Sequence, residues 1–303
     1  MELVIQNLSK TYPNGIQALK DVSLTIPKGM FGLLGPNGAG KSTLIRTLAT
    51  LQEADAGSVV LGAASTSSAQ HIDVLGQKEK VRKHLGYLPQ SFGFYPRMKA
   101  IELMDHFAAL RGIVHAGERK DRVESLLRKV NLWEVRKQRL GTFSGGMKQR
   151  FGIAQALLVE PRLLIVDEPT AGLDPLERNR FLNLISEVGE NVVVILSTHI
   201  VEDVSSLCTS MAIINKGEIL VTGKPQTLID QLQGYIWRKT VDKSELHAIE
   251  AEFEVVSSQL VSGKTLIHVY AASRPGPSFE QVDASLADVY FHYIKPKAGV
   301  ANV

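Results

Sequence analysis

The sequence predicts an α/β fold, on the strength of three observations. First, continuous apolar runs at residues 163–166 and 192–196 are typical of strands buried on both faces of a parallel sheet. Second, segments with apolar residues at helical spacing alternate with such strands along the chain. Third, a glycine-rich loop at residues 35–42 follows a predicted strand at 30–34 and precedes a predicted helix at 44–51.

Further elements follow in chain order. Additional strands are predicted at residues 3–5, 22–26, 58–61 and 85–88. A turn is expected at Pro13-Asn14-Gly15, and a small polar surface loop is expected at residues 63–69. Between about residues 98 and 138, apolar residues recur at helical spacing, which indicates a helical insertion within the α/β domain.

The chain is expected to divide into two parts. Residues 1–223 are predicted to form the main domain, with a helical subdomain at about residues 91–140. Residues 224–303 are predicted to form a small α+β extension. Within the extension we expect short strands, a Pro/Gly-rich break and a closing helix, at residues 235–241, 253–256, 265–270, 274–277 and 285–293.

Composition excludes several classes of function. The formal net charge of +3 over 303 residues is too small to favour a nucleic-acid partner, and none is expected. The single cysteine, Cys208, allows neither an internal disulfide nor a cysteine-based zinc site. We find no signal peptide and no apolar stretch long enough to cross a bilayer. The expected location is cytoplasmic, and transport would require a separate membrane partner.

The glycine-rich loop matches the pattern G-x-x-x-x-G-K-[ST]. Its residues are Gly35, Pro36, Asn37, Gly38, Ala39, Gly40, Lys41 and Ser42, followed by Thr43. Glycines let successive backbone N–H groups turn inward to bind phosphate oxygens, and the following helix N-terminus adds positive potential. Lys41 is expected to reach the β- and γ-phosphates of ATP, and the Ser42 hydroxyl is expected to bind Mg²⁺. The alternative is an ordinary glycine-rich turn before a helix.

Two adjacent acids, Asp167 and Glu168, end the apolar run at residues 163–166. An acid at the end of a buried strand in a phosphate-loop protein is placed to hold Mg²⁺, and Asp167 fits that role. Glu168 is a candidate to position and deprotonate the attacking water. The alternative is a strand-to-loop transition that carries two solvated acids.

The motif Phe143-Ser144-Gly145-Gly146-Met147 carries a family resemblance. It resembles the signature of ABC transporter nucleotide-binding subunits, usually Leu-Ser-Gly-Gly-Gln. The resemblance implies the fold of an ATP-binding cassette, with a RecA-like core sheet and a helical subdomain. It also implies that two cassettes pair head to tail. Ser144, Gly145 and Gly146 of one cassette would then close on the γ-phosphate bound by the other.

Other family elements occur in the expected order, at Tyr12, Gln90, Asp174 and His199. The resemblance implies that Tyr12 stacks on adenine and that Gln90 contacts Mg²⁺ and couples to the membrane partner. It places Asp174 at the dimer interface and makes His199 a sensor of the γ-phosphate that acts in catalysis with Glu168 and Lys41. Each residue alone is more often structural; their joint order over residues 1 to about 225 makes the match specific.

Two signature positions depart from the family pattern. Phe143 replaces leucine and keeps an apolar anchor, whereas Met147 replaces glutamine and lacks the amide hydrogen bonds. Because Ser144, Gly145 and Gly146 are intact, we expect activity to survive. The departures bear only on how tightly the signature closes on the γ-phosphate bound by the other cassette.

The branch of the family is indicated by the methionine variant and by the tail at residues 286–291, which resemble exporters of drugs, antibiotics and lipids. We therefore expect a transmembrane permease as partner, a second identical or paralogous cassette, and a peripheral position on the inner face of the membrane. Phe92, Phe94 and Tyr95 form an aromatic cluster that would either fill a groove for the permease or belong to the local core. The competing hypothesis is a soluble ATP-driven clamp on ribosomes or nucleic acid.

Overall fold

The computed structural model describes residues 1–62, 71–91, 93, 95–189, 191–242, 244–261 and 263–295. The loop predicted at residues 63–69 and the aromatic residues Phe92 and Phe94 lie outside these ranges. Within the described ranges, no helix combines the length and apolar character needed to span a membrane.

The described strands form three sheets. They are β1 (Glu2–Thr11), β2 (Gln17–Pro27), β3 (Gly29–Leu34), β4 (Ala56–Gly62), β5 (Ile72–Asp73), β6 (Leu85–Leu88), β7 (Leu163–Asp167), β8 (Val193–Thr198), β9 (Ser210–Asn215), β10 (Glu218–Gly223), β11 (Ile236–Val241), β12 (Glu254–Val261), β13 (Lys264–Tyr270) and β14 (Glu280–Gln281). The helices are α1 (Lys41–Leu48), α2 (Lys78–Lys83), α3 (Ala100–Leu110), α4 (Ala116–Lys129), α5 (Gly145–Ala156), α6 (Pro175–Gly189), α7 (Val201–Leu207), α8 (Pro225–Asp230), α9 (Leu246–Glu252) and α10 (Leu286–Ile294), with a short 3₁₀ turn at Leu140–Thr142.

The central sheet has the strand order β10-β9-β3-β8-β7-β6. Strands β6, β7, β8, β3 and β9 are parallel, and β10 pairs antiparallel with β9. All five residues of β7 and all six of β8 are buried, which explains their uninterrupted apolar character. Since parallel strands share one carboxyl edge, the loops after β3, β6, β7 and β8 converge there and build the site.

A second, antiparallel sheet has the order β2-β1-β4-β5 and packs its apolar side chains against α1 and the central sheet. Strand β1 ends at Thr11, one residue before Tyr12, so the sheet delivers this aromatic residue to the phosphate loop. Between β6 and β7 the chain forms α3, α4 and α5, whose buried residues join the core on the other side of the central sheet.

The third sheet, with order β12-β13-β11-β14, is antiparallel throughout. A small apolar core including Val241, Ile249 and Phe279 lies on one face. Helix α10 packs on β12 and also contacts α7, α8 and β9, so it joins this sheet to the rest of the chain. The boundary predicted near residue 224 falls between β10 and α8 and stays a prediction.

The predicted elements correspond closely to those observed, with one informative difference at the first helix. The sequence predicts it at residues 44–51, whereas α1 spans Lys41–Leu48. It begins inside the phosphate-loop motif because Gly40 supplies the left-handed φ of 109° that precedes the helix. It ends earlier because Thr50 also takes a positive φ, of 60°, which helical geometry excludes.

Candidate functional site

The loop after β3 is shaped by its glycines. Gly38 and Gly40 take φ values of 80° and 109°, in the left-handed region that favours glycine. At Gly35 a Cβ would lie 2.4 Å from the carbonyl oxygen of Ile214, so no larger residue fits there. The loop therefore curls tightly between β3 and α1, as a phosphate-binding loop requires.

The ammonium group of Lys41 is fixed inside this loop. Its Nζ donates hydrogen bonds to the carbonyl oxygens of Gly35, at 2.6 Å, and Pro36, at 3.1 Å. The residue is only 5% exposed. Burial lowers the pKa of Lys41, while the neighbouring carboxylates of Glu168 and Asp167 oppose that shift. A buried ammonium at a loop rich in backbone N–H groups is suited to binding an anion.

A cleft of about 500 Å³ opens over the loop. The predicted residues that line it are Tyr12, Pro36, Asn37, Gly38, Ala39, Gly40, Lys41, Ser42, Thr43, Gln90 and Glu168. The lining residues that the sequence analysis missed are Ile16, Gln17, Ala18, Lys20, Lys216 and Gly217. They come from β2, from Ile16 just before it, and from the β9–β10 turn, and no motif marks these segments. The cleft lining does not include the remaining predicted residues, which are Gly35, Ser144, Gly145, Gly146, Asp167, Asp174 and His199.

Tyr12 is half-buried at one end of the cleft. Its hydroxyl donates a hydrogen bond to Oε1 of Gln52, at 3.0 Å, and lies 3.1 Å from Oγ1 of Thr43 on α1. These contacts hold the aromatic ring beside the phosphate loop. The position suits an aromatic platform for a nucleotide base, and the stacking role stays a prediction.

Asp167 ends β7 and is 6% exposed. Its Oδ1 is buried and has no hydrogen-bond partner within the described part of the chain. Burial raises the pKa of this carboxyl, and the nearby Ser197 hydroxyl and, to a smaller extent, the positive charge of Lys41 oppose the shift. Because an unpartnered buried carboxylate oxygen is costly, this atom is suited to accept a cation or a water bound to one.

The donor set fits Mg²⁺. Ser42 and Gln90, which line the cleft, would supply neutral oxygens, and Asp167 would supply a carboxylate. Mg²⁺ is usually held in this way, by one or two carboxylates together with substrate phosphates. Among the described residues no group of three or more His, Cys, Asp or Glu side chains could hold a metal. A nucleotide-linked Mg²⁺ does not require such a group.

Glu168 follows Asp167 and adopts a left-handed φ of 48°, which is uncommon for a residue other than glycine. Its backbone N–H donates to the carbonyl oxygen of Ser197, at 2.8 Å, which ties it to β8. The carboxylate lies 3.8 Å from Nζ of Lys41 and 2.5 Å from Nδ1 of His199. Glu168 therefore lies between two basic groups, beside the phosphate loop.

A buried acid that the sequence analysis missed supports this loop. Asp203 on α7 is fully buried, and its carboxylate accepts hydrogen bonds from Oγ1 of Thr170, at 2.6 Å, and Nε of Arg178, at 2.8 Å. It thereby fixes the segment between Glu168 and α6. A lone acid within a helix gives no sequence signal for this role.

The signature motif lies at the start of α5. The Oγ of Ser144 accepts a hydrogen bond from the backbone N–H of Met147, at 3.2 Å, and caps the helix. Ser144 and Gly145 are exposed, whereas Gly146 is buried, and the carboxylate of Glu177 approaches it so closely that a Cβ would clash. That carboxylate forms an ion pair with Arg150. Ser144 and Gly145 are therefore accessible to solvent at the start of α5.

The two departures in the signature have local structural explanations. Phe143 is 4% exposed and packs edge-on against Phe151, with ring centroids 6.4 Å apart, so the larger apolar anchor is accommodated. Met147 is partly buried against the main core.

The predicted interface residue, Asp174, is exposed and caps α6. Its side chain accepts a hydrogen bond from the backbone N–H of Glu177, at 2.8 Å. Its interface role stays a prediction.

A family model described as "ABC transporter" matches residues 19–171, which include the phosphate loop, the signature and both acids, Asp167 and Glu168. The chain belongs to the ABC transporter family. Members of this family hydrolyse ATP, and the chain is an ATP-binding and ATP-hydrolysing cassette. ATP-binding subunits of the family dimerise and work with transmembrane partners.

Relatives of the cassette are named for different processes. The linearmycin resistance ATP-binding protein LnrL of Bacillus subtilis is 36% identical, over 88% of this chain and 80% of its own length. The phosphonates import ATP-binding protein PhnC of Treponema denticola is 34% identical, over 77% of this chain and 93% of its own length. A solved dimeric cassette bound to ADP and Pi, in a post-hydrolysis state, is 26% identical, with a TM-score of 0.63 over 73% of this chain and 98% of its own.

Proposed function

We propose that this cassette, residues 1–223 with an accessory extension at 224–303, drives an exporter. Two copies, identical or paralogous, would enclose two ATP–Mg²⁺ between them, head to tail. Closing and opening of this pair would drive a separate transmembrane permease from the cytoplasmic face. The cleft that Lys41 and Glu168 line together supports the proposed binding of ATP.

Within each site we propose the following roles. Backbone N–H groups of the phosphate loop and Lys41 bind the phosphates, and Tyr12 stacks on the base. Glu168 accepts a proton from the attacking water, and His199 holds Glu168 and contacts the γ-phosphate. Ser42, Gln90 and Asp167 would hold Mg²⁺, which neutralises phosphate charge when bound. Apart from Tyr12, which follows β1 of the second sheet, these groups lie in the phosphate-loop motif or at or after the ends of strands of the central sheet, at its carboxyl edge.

The head-to-tail arrangement is supported by the position of the signature. Ser144 and Gly145 are exposed at a helix N-terminus, yet they are not among the residues that line the cleft of their own chain. A serine-capped helix start with small residues is an anion site. Such a site can complete the phosphate cleft of a second copy. The related cassette that is dimeric with ADP and Pi bound supports the pairing of two copies.

Export is favoured by how far the relatives extend along the chain. A match over 88% of the chain, as with the resistance protein, must reach into the extension, because the cassette itself makes up about three quarters of the chain. The match to the phosphonate importer covers 77%, little more than the cassette. Of these two relatives, the one named for resistance matches more of the extension.

The Glu168→Gln variant tests the coupling to a membrane partner. This variant should bind ATP, hydrolyse it slowly and accumulate as a dimer, which light scattering measures directly. Tagged and trapped with ATP, it should retain a multi-pass membrane protein from detergent-solubilised native membranes. Glu160→Gln, a change at an exposed ion pair with Arg122, is the matched control and should hydrolyse ATP as wild type does without accumulating as a dimer.

The direction of transport needs a separate measurement. Cells that lack the chain should accumulate an exported compound and become more sensitive to it, and wild type but not Glu168→Gln should restore efflux. Loss of uptake instead would contradict export while leaving the transporter assignment intact. Recovery of ribosomes or DNA-bound factors, with no membrane protein, would favour a soluble ATP-driven clamp.

A further inference from the structure

Two lysines line the cleft outside every motif, Lys20 on β2 and Lys216 in the β9–β10 turn. They differ in their partners. Nζ of Lys20 forms an ion pair with Oε1 of Glu218, at 3.0 Å. Within the described ranges, Lys216 has no acidic partner. Its positive charge is therefore available at the wall of a cleft suited to a polyanion.

The turn that carries Lys216 is fixed to the phosphate loop. The N–H of Gly217 donates to the carbonyl oxygen of Ala39, at 2.9 Å, and the carbonyl oxygen of Gly217 accepts from the N–H of Lys20, also at 2.9 Å. A Cβ at Gly217 would lie 2.9 Å from the carbonyl oxygen of Ala18, so the turn packs closely on β2. The backbone of Lys216 is thus held in a fixed position beside the phosphate loop.

The conformation of the turn does not explain why its first residue is lysine. Asn215 pairs with Glu218, and the two residues between them have φ values of 48° at Lys216 and 83° at Gly217. These values define a two-residue hairpin of type I′, whose first position favours asparagine, aspartate or glycine. Lysine is less suited to left-handed backbone than these residues. Folding preference alone would place a different residue here, so a requirement for positive charge is the better explanation.

We propose that Lys216 is a further nucleotide-binding residue that attracts the phosphate chain of a nucleoside di- or triphosphate bound in the cleft. This inference rests on the proposed placement of ATP in the cleft. Lys216 acts through its positive charge and does not need a fixed hydrogen-bond geometry, so arginine at this position should preserve its effect. Its contribution should fall with ionic strength, because an exposed charge is screened by salt.

The test compares Lys216→Asn with Lys224→Asn. Lys224 is exposed, does not line the cleft and occupies the N-cap position of α8, where asparagine is a favoured residue. Both variants remove one positive charge, and both substitutions suit the local backbone, so neither should unfold the chain. Equilibrium binding of Mg-ATP and Mg-ADP is measured at low and high salt, together with the urea midpoint of each variant.

We expect Lys216→Asn to weaken ATP binding by about three- to tenfold at low salt and by less at high salt. Its urea midpoint should equal or exceed that of wild type, and Lys216→Arg should restore affinity. Lys224→Asn should bind as wild type does. Unchanged affinity in Lys216→Asn, or an equal loss in Lys224→Asn, would overturn the inference. Lys41→Ala is included because its failure to weaken binding would instead refute the placement of ATP in the cleft.

Discussion

Oε2 of Glu168 lies 2.5 Å from Nδ1 of His199, and this contact joins the ends of two neighbouring strands. Glu168 directly follows β7 and His199 directly follows β8, and Asp167 pairs with Ser197 in the register between them. The second carboxylate oxygen of Glu168 lies 3.8 Å from Nζ of Lys41. One carboxylate therefore links the phosphate loop to the strand end that carries the histidine.

This arrangement predicts that changes at Glu168 and His199 are not independent. Glu168→Gln should lower kcat by about 10²-fold or more, the usual scale for loss of a general base. His199→Ala should also lower kcat, because it removes the partner that orients the carboxylate. The double variant should be little slower than Glu168→Gln alone, since residues that act as a unit are not additive. Steady-state ATPase assays on the four proteins measure the cycle.

An additive result would contradict this interpretation. If the losses in the double variant multiply, His199 acts on the γ-phosphate without acting through Glu168. Binding of ATP to each variant serves as the control, because Glu168→Gln should leave the Kd for ATP within about twofold of wild type. A normal rate in Glu168→Gln would refute the assignment of Glu168 as the base.

Two substitutions at Tyr12 separate the role of its aromatic ring from the role of its hydroxyl group. Tyr12→Phe removes the hydrogen bond to Gln52 and the contact with Thr43 but keeps the ring. It should cost about 0.5–1.5 kcal/mol of folding stability and little ATP affinity. Tyr12→Ala should weaken ATP binding by about 1–3 kcal/mol, the contribution of a base–aromatic stack. Calorimetric titration gives the affinities, and equal affinity in Tyr12→Ala and wild type would leave Tyr12 with a packing role only.

Asp167 predicts the metal dependence. Removal of Mg²⁺ by a chelator should abolish hydrolysis, and Asp167→Asn should raise the Mg²⁺ concentration for half-maximal activity by about tenfold or more. The reason is that asparagine keeps the size of the side chain but removes the buried negative charge. Asp230→Asn, an exposed substitution on α8, is the control. Equal Mg²⁺ dependence in all three proteins would exclude Asp167 as a ligand.

The sequence predicts the parts of the site that local patterns encode. The phosphate loop can be predicted because its backbone demands glycine at fixed spacing, and the buried strands can be predicted because parallel strands are apolar on both faces. For the same reason β6 is found at residues 85–88, as expected. The pairing of β7 with β8 is not local, so the contact between Glu168 and His199 had to come from the structure.

The functional residues that sequence reasoning missed were missed for the same physical reason. Asp203 supports the loop after Glu168 from a different helix, and Lys216 enters the cleft from a turn that packs on Ala39 and Ala18. Both roles depend on contacts between residues far apart in the chain. Periodicity and motif spacing describe only neighbours, and thus they carry no information about these two residues.

Asp288 in the closing helix has a structural role that the tail motif did not suggest. Its Oδ1 lies 2.7 Å from Nδ1 of His268 on β13, and its Oδ2 accepts hydrogen bonds from the N–H and Oγ of Ser285, at 2.9 and 2.6 Å. The residue is 1% exposed. Burial would raise the pKa of Asp288, but the hydrogen bonds with His268 and Ser285 outweigh it and hold the pKa below the usual value.

This carboxylate predicts a pH-dependent contribution to stability. Asp288→Asn should lower the free energy of unfolding by about 1–3 kcal/mol, because buried charge-assisted hydrogen bonds are lost. A depressed folded-state pKa stabilises the fold above the unfolded value of about 3.9, and that contribution is lost as pH falls through the folded-state pKa. The difference between wild type and Asp288→Asn in urea unfolding should therefore be constant between about pH 5 and 6 and shrink below about pH 4. Asp121→Asn, on the exposed face of α4, should show no such trend, and a difference for Asp288→Asn that persists unchanged at low pH would contradict the role of the charge.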